Sequence, residues 1–263
     1  MLGSIVAGAG TVTLHSTGAI NEAGGITANT LSGSSTAGAF FDQFDNHVAK
    51  FGPFTNTGAI NAGVVFFDAD PVIIVGTVNS PTGLQLNGAK GLTLSGDLTA
   101  AAGISLLASG GSITQTAGII TAGSAKFTDF AVGGTIILPN ANKISGAVEI
   151  GAFGAASLTN AAPLTISSAA GEPLTLTTVG AGSDLNLAGL VFNSTLGTIT
   201  LNSAGKIIQT AGIISYDTLT GSSVGGASFA KKNLIKHLGS FSDTGSGSSG
   251  IAFTATGAFP FST

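Results

Sequence analysis

The chain has 263 residues, 41 of them Gly, with 8% charged residues against roughly 25% in an ordinary globular protein, and a formal net charge of −4. All eight basic residues are Lys, and there is no Cys and no Trp. No Arg and a negative balance argue against nucleic acid as a partner, and the missing thiols exclude disulfides, thiolate metal sites and a cysteine nucleophile.

The N-terminal MLGSIVAGAG lacks the basic n-region and long apolar core of a signal peptide, so export would need a signal outside this sequence. From Gly10, GTVTLHSTG alternates apolar with small or polar residues, which is strand grammar. Next come GAINEAGGIT (residues 18–27), the polar FFDQFDNH (40–47) and FFDADP (66–71). The stretch from Gly83 to Gln115 sets apolar pairs at Leu84/Leu86, Leu92/Leu94 and Ile104/Leu106 between Gly, Asn, Asp and Ser, predicting short strands with tight turns. The stretch from Pro163 repeats that grammar with Thr and Leu. Residues 98–125 carry no charge, yet Gly, Ser, Thr and Gln interrupt every apolar run, so no membrane span is predicted. ASFAKKNLIKHLGS (227–240) is the most helix-like run; a short surface helix there is the minority reading.

One unit recurs. GSITQTAGIITAG (111–123) returns as GKIIQTAGII (205–214) and, more loosely, matches residues 18–27. The anchors Ile20, Ile113 and Ile207 are spaced by 93 and 94, and NHVAKFGPFTNTG from Asn46 matches NLIKHLGSFSDTG from Asn233 at a shift of 187. The chain therefore reads as one repeat domain, 1–263, with units at about 10–102, 103–196 and a partial 197–263. Its ends fall in mid-pattern, as in a slice of a longer array. Strand pairs returning after about 20 residues predict an all-β parallel β-helix of right-handed coils, four or five to the unit. About 13 coils at roughly 4.8 Å give a rod on the order of 60 Å long. A propeller with two blades to the unit is the alternative, disfavoured by the absence of Trp and of blade signatures.

The phrases GSITQTAGIITAG, GKIIQTAGII, LTLTTVGAGSDLNLAG and GTITLNSAG resemble the haemagglutination-type repeats of filamentous haemagglutinin-like exoproteins of two-partner secretion. The resemblance implies a right-handed parallel β-helix, export to the surface of a Gram-negative bacterium, and a part in adhesion or biofilm. The family's secretion domain is not visible here. The implied partner is a host-cell or matrix receptor, glycan or protein. A self-assembling fibre, with coils stacking end to end between chains, is the runner-up.

Candidate chemistry is sparse. Asp42, Asp45 and His47 within FFDQFDNH are types that ligate metals, but the third copy has no carboxylates there, so a solvated loop is the preferred reading. Asp68 and Asp70 have calcium-type oxygens, but turn entry before Pro71 explains them better. An enzyme of the polysaccharide-active β-helix kind would need converging carboxylates, and twelve acids are spread over the whole chain. The pairs Thr11/Thr13, Thr175/Thr177 and Thr198/Thr200 raise ice binding, which would need such pairs on successive coils; the matched pairs lie a whole unit apart. No cofactor motif is present.

Seven of the 16 Phe fall between Phe40 and Phe67. Stacking inside the rod is the preferred reading; a partner surface of Phe40, Phe41, Phe44, Phe51 and Phe54 is the sharper one. Glu22, Gln115 and Gln209 share one repeat position, two residues after the anchor Ile. They are read as inward side chains that bond turn backbone. Gly25, Gly118 and Gly212, also aligned, are read as turn residues.

Overall fold

The structure, a computed structural model, describes residues 1–59, 63–192, 197–246 and 250–256. Among them are 27 strands and no helix. One coil runs through Val64–Asp68, Val72–Ile74 and Val78–Asn79, and the next through Leu84–Gly88, Leu92–Leu94 and Leu98–Ala100. Ile104–Ala108, Ile113–Gln115 and Ile120–Ala122 follow. Every pairing is parallel, to the strand about 20 residues before or after: Leu84 faces Val64 on one side and Ile104 on the other. The result is a parallel β-solenoid of about 12 turns.

Stacking is what makes these short strands stable. A three-residue strand cannot bury its apolar side chains alone, but each coil covers the next. Val64, Leu84, Ile104, Ala125, Val148 and Ile166 form one inward file, and Val72, Leu92, Ile113, Ile136, Ala156, Leu174 and Ile199 another, all at 5% exposure or less. Full burial of each Val, Leu or Ile contributes about 1.5–3 kcal/mol. Backbone donors at the corners bond to the next coil, as Leu84 N–H does to the Gly103 carbonyl at 3.1 Å.

The repeat and the coil have different periods. Following the register from Ile20 through Ala39, Val64, Leu84, Ile104, Ala125, Val148, Ile166 and Leu187 to Gln209 crosses nine pairings. Two repeat units thus span close to nine coils, and one unit is not a whole number of them. The outer copies of the motif consequently share a side of the rod. The middle copy, Ile113–Gln115, lies on another, stacked between Leu92 and Ile136.

The helix-like run is a strand. Ala227–Asp243 extends for 17 residues and pairs with Ile214–Ser223 beneath it, Tyr216 facing Ile235. Its apolar residues do not share one helical face: Phe229 and Ile235 point into the core while Leu234 points out. The ladder offered by the preceding coil overrides local propensity.

Candidate functional site

The most elaborate polar geometry is internal. Gln115 donates from Nε2 to the Gly118 carbonyl at 3.1 Å and to Asn142 Oδ1 at 2.9 Å. Its Oε1 accepts from Asn142 Nδ2 at 3.1 Å and from Asn140 N–H at 3.3 Å. Asn142 Oδ1 also takes the Ile120 N–H at 2.8 Å. One buried amide pair thereby closes the turn and ties it to the following coil.

The third copy repeats this bond for bond. Gln209 Nε2 donates to the Gly212 carbonyl at 3.2 Å and to Asn233 Oδ1 at 2.8 Å. Gln209 Oε1 accepts from Asn233 Nδ2 at 2.9 Å and Lys231 N–H at 3.3 Å, and Asn233 Oδ1 takes the Ile214 N–H at 2.9 Å. In the first copy the partner is Asn46, whose Oδ1 takes the Ile26 N–H at 2.7 Å. Asn46 Nδ2 and Gln43 N–H both donate to Glu22 Oε2 at 3.0 Å. The inward Gln position was readable from the repeat. Its Asn partners went unrecognised, although Asn46 and Asn233 head the stretches matched at a shift of 187.

Gly118 and Gly212 have φ of 71° and 70°, the left-handed turn conformation that favours glycine. Gly25 corrects the expectation that all three aligned glycines do the same thing. It does not have positive φ; a Cβ there would run into the backbone and side chain of Asp45, so close approach of the next coil explains it.

The Phe cluster lies inside. Phe41, Phe51, Phe54 and Phe66 are fully buried, and Phe51 stacks on Phe66 with centroids 4.4 Å apart and an interplanar angle of 9°. Phe41 meets Phe54 edge-on at 5.7 Å. Phe41, Phe51 and Phe54 therefore cannot serve as partner surface. Of the five candidates only Phe44 is well exposed, at 76%; it leans on Phe67 at 5.3 Å, and Phe40 is half-buried. Strand alternation decides this, since Phe40 and Phe41 point to opposite faces.

Charged chemistry collects on the corner beside Phe44. His47 Nδ1 lies 2.7 Å from Asp70 Oδ2, and Lys90 Nζ lies 2.6 Å from Asp70 Oδ1, joining three consecutive coils. Lys90 and then His47 hold the Asp70 carboxyl below its ordinary range. Asp42 and Asp45 are exposed loop residues, and His47 pairs with Asp70 and with neither of them. Among the described residues no group of three or more His, Asp or Glu gathers to hold a metal ion. Asp68, two residues from Asp70, is buried and accepts the N–H groups of Val48 and Asp70 at 2.7 and 2.8 Å. Burial pushes its pKa up to about 6.

Two outward features complete the surface. Ser157, Thr175, Thr200 and Thr220 stand in register on successive coils, which corrects the expectation that the Thr pairs lie a whole unit apart. Their hydroxyls partly satisfy one another, Thr200 to Thr220 at 3.0 Å, as cross-strand pairs do. An open trough of about 650 Å³ runs past Gln85, Ser105, Lys126 and Glu149 on another side, and the last two form an ion pair at 3.1 Å.

Comparison of the chain with protein-family models, with curated proteins and with solved structures finds no match.

Proposed function

We propose that this chain is a non-catalytic shaft segment of a secreted bacterial surface adhesin, a stiff rod that holds attachment surface away from the cell. The resemblance of its repeats to filamentous haemagglutinin-like exoproteins supports the family. One observation carries the functional reading. The residues that recur, Ile113, Gln115 and Gly118 with their counterparts, are buried or turn residues whose bonds join coil to coil. Repetition here serves architecture, so recognition belongs to what does not recur, above all the corner of Phe44, His47, Asp70 and Lys90. Its receptor is a host-cell or matrix glycan or protein.

Beads coated with the purified chain test this by attachment to cultured cells and to matrix-coated surfaces. Retention above that of beads coated with an unrelated rod-shaped protein is expected; equal retention would remove the adhesive role. The fibre reading has its own supporting observation: among the described residues, Thr11–His15 pairs with a strand on one side only. An unpaired edge is a template for another strand. Size exclusion over a wide concentration range separates the two, since discrete monomers throughout exclude the fibre.

A further inference from the structure

The three clamps are one device built with two kinds of side chain. In the second and third copies the position is Gln, and its Nε2 donates twice, to the turn carbonyl and to the Asn Oδ1. In the first copy it is Glu22, also buried. Glu22 Oε2 takes over the acceptor role of the Gln Oε1, receiving the Asn46 amide and the Gln43 N–H just as Gln115 receives Asn142 and Asn140. Glu22 Oε1 then falls to the donor role, and it has no hydrogen-bond partner among the described residues. A carboxylate has nothing to donate, whereas a carboxylic acid carries one O–H where the glutamine amide carries two N–H donors.

We propose that Glu22 is a proton-operated version of the glutamine clamp: protonation on Oε1 closes the first clamp, and ionisation opens it. The closed state restores one of the two donated bonds that Gln115 and Gln209 hold permanently. Its single O–H would be aimed at one of the acceptors equivalent to theirs, the Gly25 carbonyl or Asn46 Oδ1.

The surroundings favour the proton. Burial raises the pKa of Glu22 first of all; the bonds from Gln43 and Asn46 oppose this, and the negative charges of Asp42 and Asp45 add to it. The charges that act on Glu22 are those two carboxylates, on the loop after Ala39–Phe41; His47, next to its partner Asn46, is paired with Asp70, and Met1, with its amino group, precedes Leu2, which bridges to Glu22. A carboxyl whose folded pKa is raised contributes stability in full below its unfolded value, and loses it as pH rises through the folded value. Acidification therefore tightens the coils around residues 20–48.

Hydrogen exchange tests this within one molecule, because each clamp holds one isoleucine amide: Ile26, Ile120 and Ile214. After correction for the intrinsic pH dependence of exchange, the protection of Ile26 is expected to rise severalfold as pH falls from 7 towards the unfolded carboxyl value, while that of Ile120 stays level. Glu22→Gln should give Ile26 the high protection at pH 7 and flatten its profile. Gln115→Glu should transfer the pH dependence to Ile120. Asp45→Asn, which removes a neighbouring charge, should lower the midpoint and keep the transition. An unchanged Ile26 profile in Glu22→Gln, or a flat Ile120 profile in Gln115→Glu, overturns the proposal.

Discussion

Gln115 and Asn142 exchange bonds in both directions inside the core, and Asn142 also holds a backbone N–H of the turn. Replacing Gln115 by Leu keeps the volume but leaves the Asn142 amide without its main partner. Stranding buried polar groups costs about 1–3 kcal/mol each, so Gln115→Leu is expected to destabilise the rod by about 2–3 kcal/mol, read by urea unfolding. Gly118→Ala should cost at least ~1–2 kcal/mol, because φ is 71° and the added Cβ meets the Gly96 backbone. Gly8→Ala, with φ of 55° and open space around it, should cost less in the same assay. At this scale the repeat made the inward Gln legible, because an identical residue two places after an inward Ile must face the same way. The Asn partners were not legible. They lie on the next coil, 27 residues from Gln115 and 24 from Gln209, and that variable spacing hides the pair from a search for one fixed period.

Strands and corners divide the work. Phe41, Phe51, Phe54 and Phe66 form an aromatic cluster inside the N-terminal coils, while the middle coils stack mostly aliphatic side chains. Phe51→Ala removes a fully buried ring and should cost about 3–5 kcal/mol. In a solenoid that loss is expected to act locally. Exchange of amides in His47–Asn56 and Val72–Ile74 should accelerate, while that of Leu174–Thr178 stays protected; uniform acceleration would show one cooperative unit instead. Alternation told strand from helix for most elements, because pairs such as Leu84/Leu86 leave no helical face. It is least decisive for Ala227–Asp243, where Leu234, Ile235 and Leu238 also fit a helical stripe, the minority reading. Only the neighbouring coil settles that choice, and the neighbour is a tertiary fact. The corner of His47, Asp70 and Lys90 was hidden for the same reason: its members come from three coils, and the sequence shows two unrelated polar stretches and a lone Lys.

Across the whole molecule, burial raises the pKa of Glu22, Asp68 and Asp129, to about 6 for Asp68. Asp129 is the starkest case in geometry: Oδ1 accepts the Ala131 N–H at 2.8 Å, and Oδ2 has no partner among the described residues. These carboxyls contribute stability below their unfolded pKa values near 4 that is lost as pH rises through the folded ones. Asp70 runs the other way, since its pKa is lowered. Its contribution is present above the unfolded value and is lost only as pH falls from there through the folded one. The melting temperature should therefore rise by roughly 2–5 °C from pH 7 to pH 5, followed by scanning calorimetry. A fall over that interval would mean that the buried carboxyls do not govern it.

On the function we propose, repeated residues build the rod and the unrepeated corner recognises. Attachment of coated beads and melting temperature, measured together on the variant Phe44→Ser/His47→Ala/Asp70→Ala, test it most directly. The three side chains are at the surface, so melting should move by only about 2 °C, while attachment falls by roughly tenfold or more. Attachment that survives this variant unchanged, with the rod intact, would contradict the assignment of recognition to the corner.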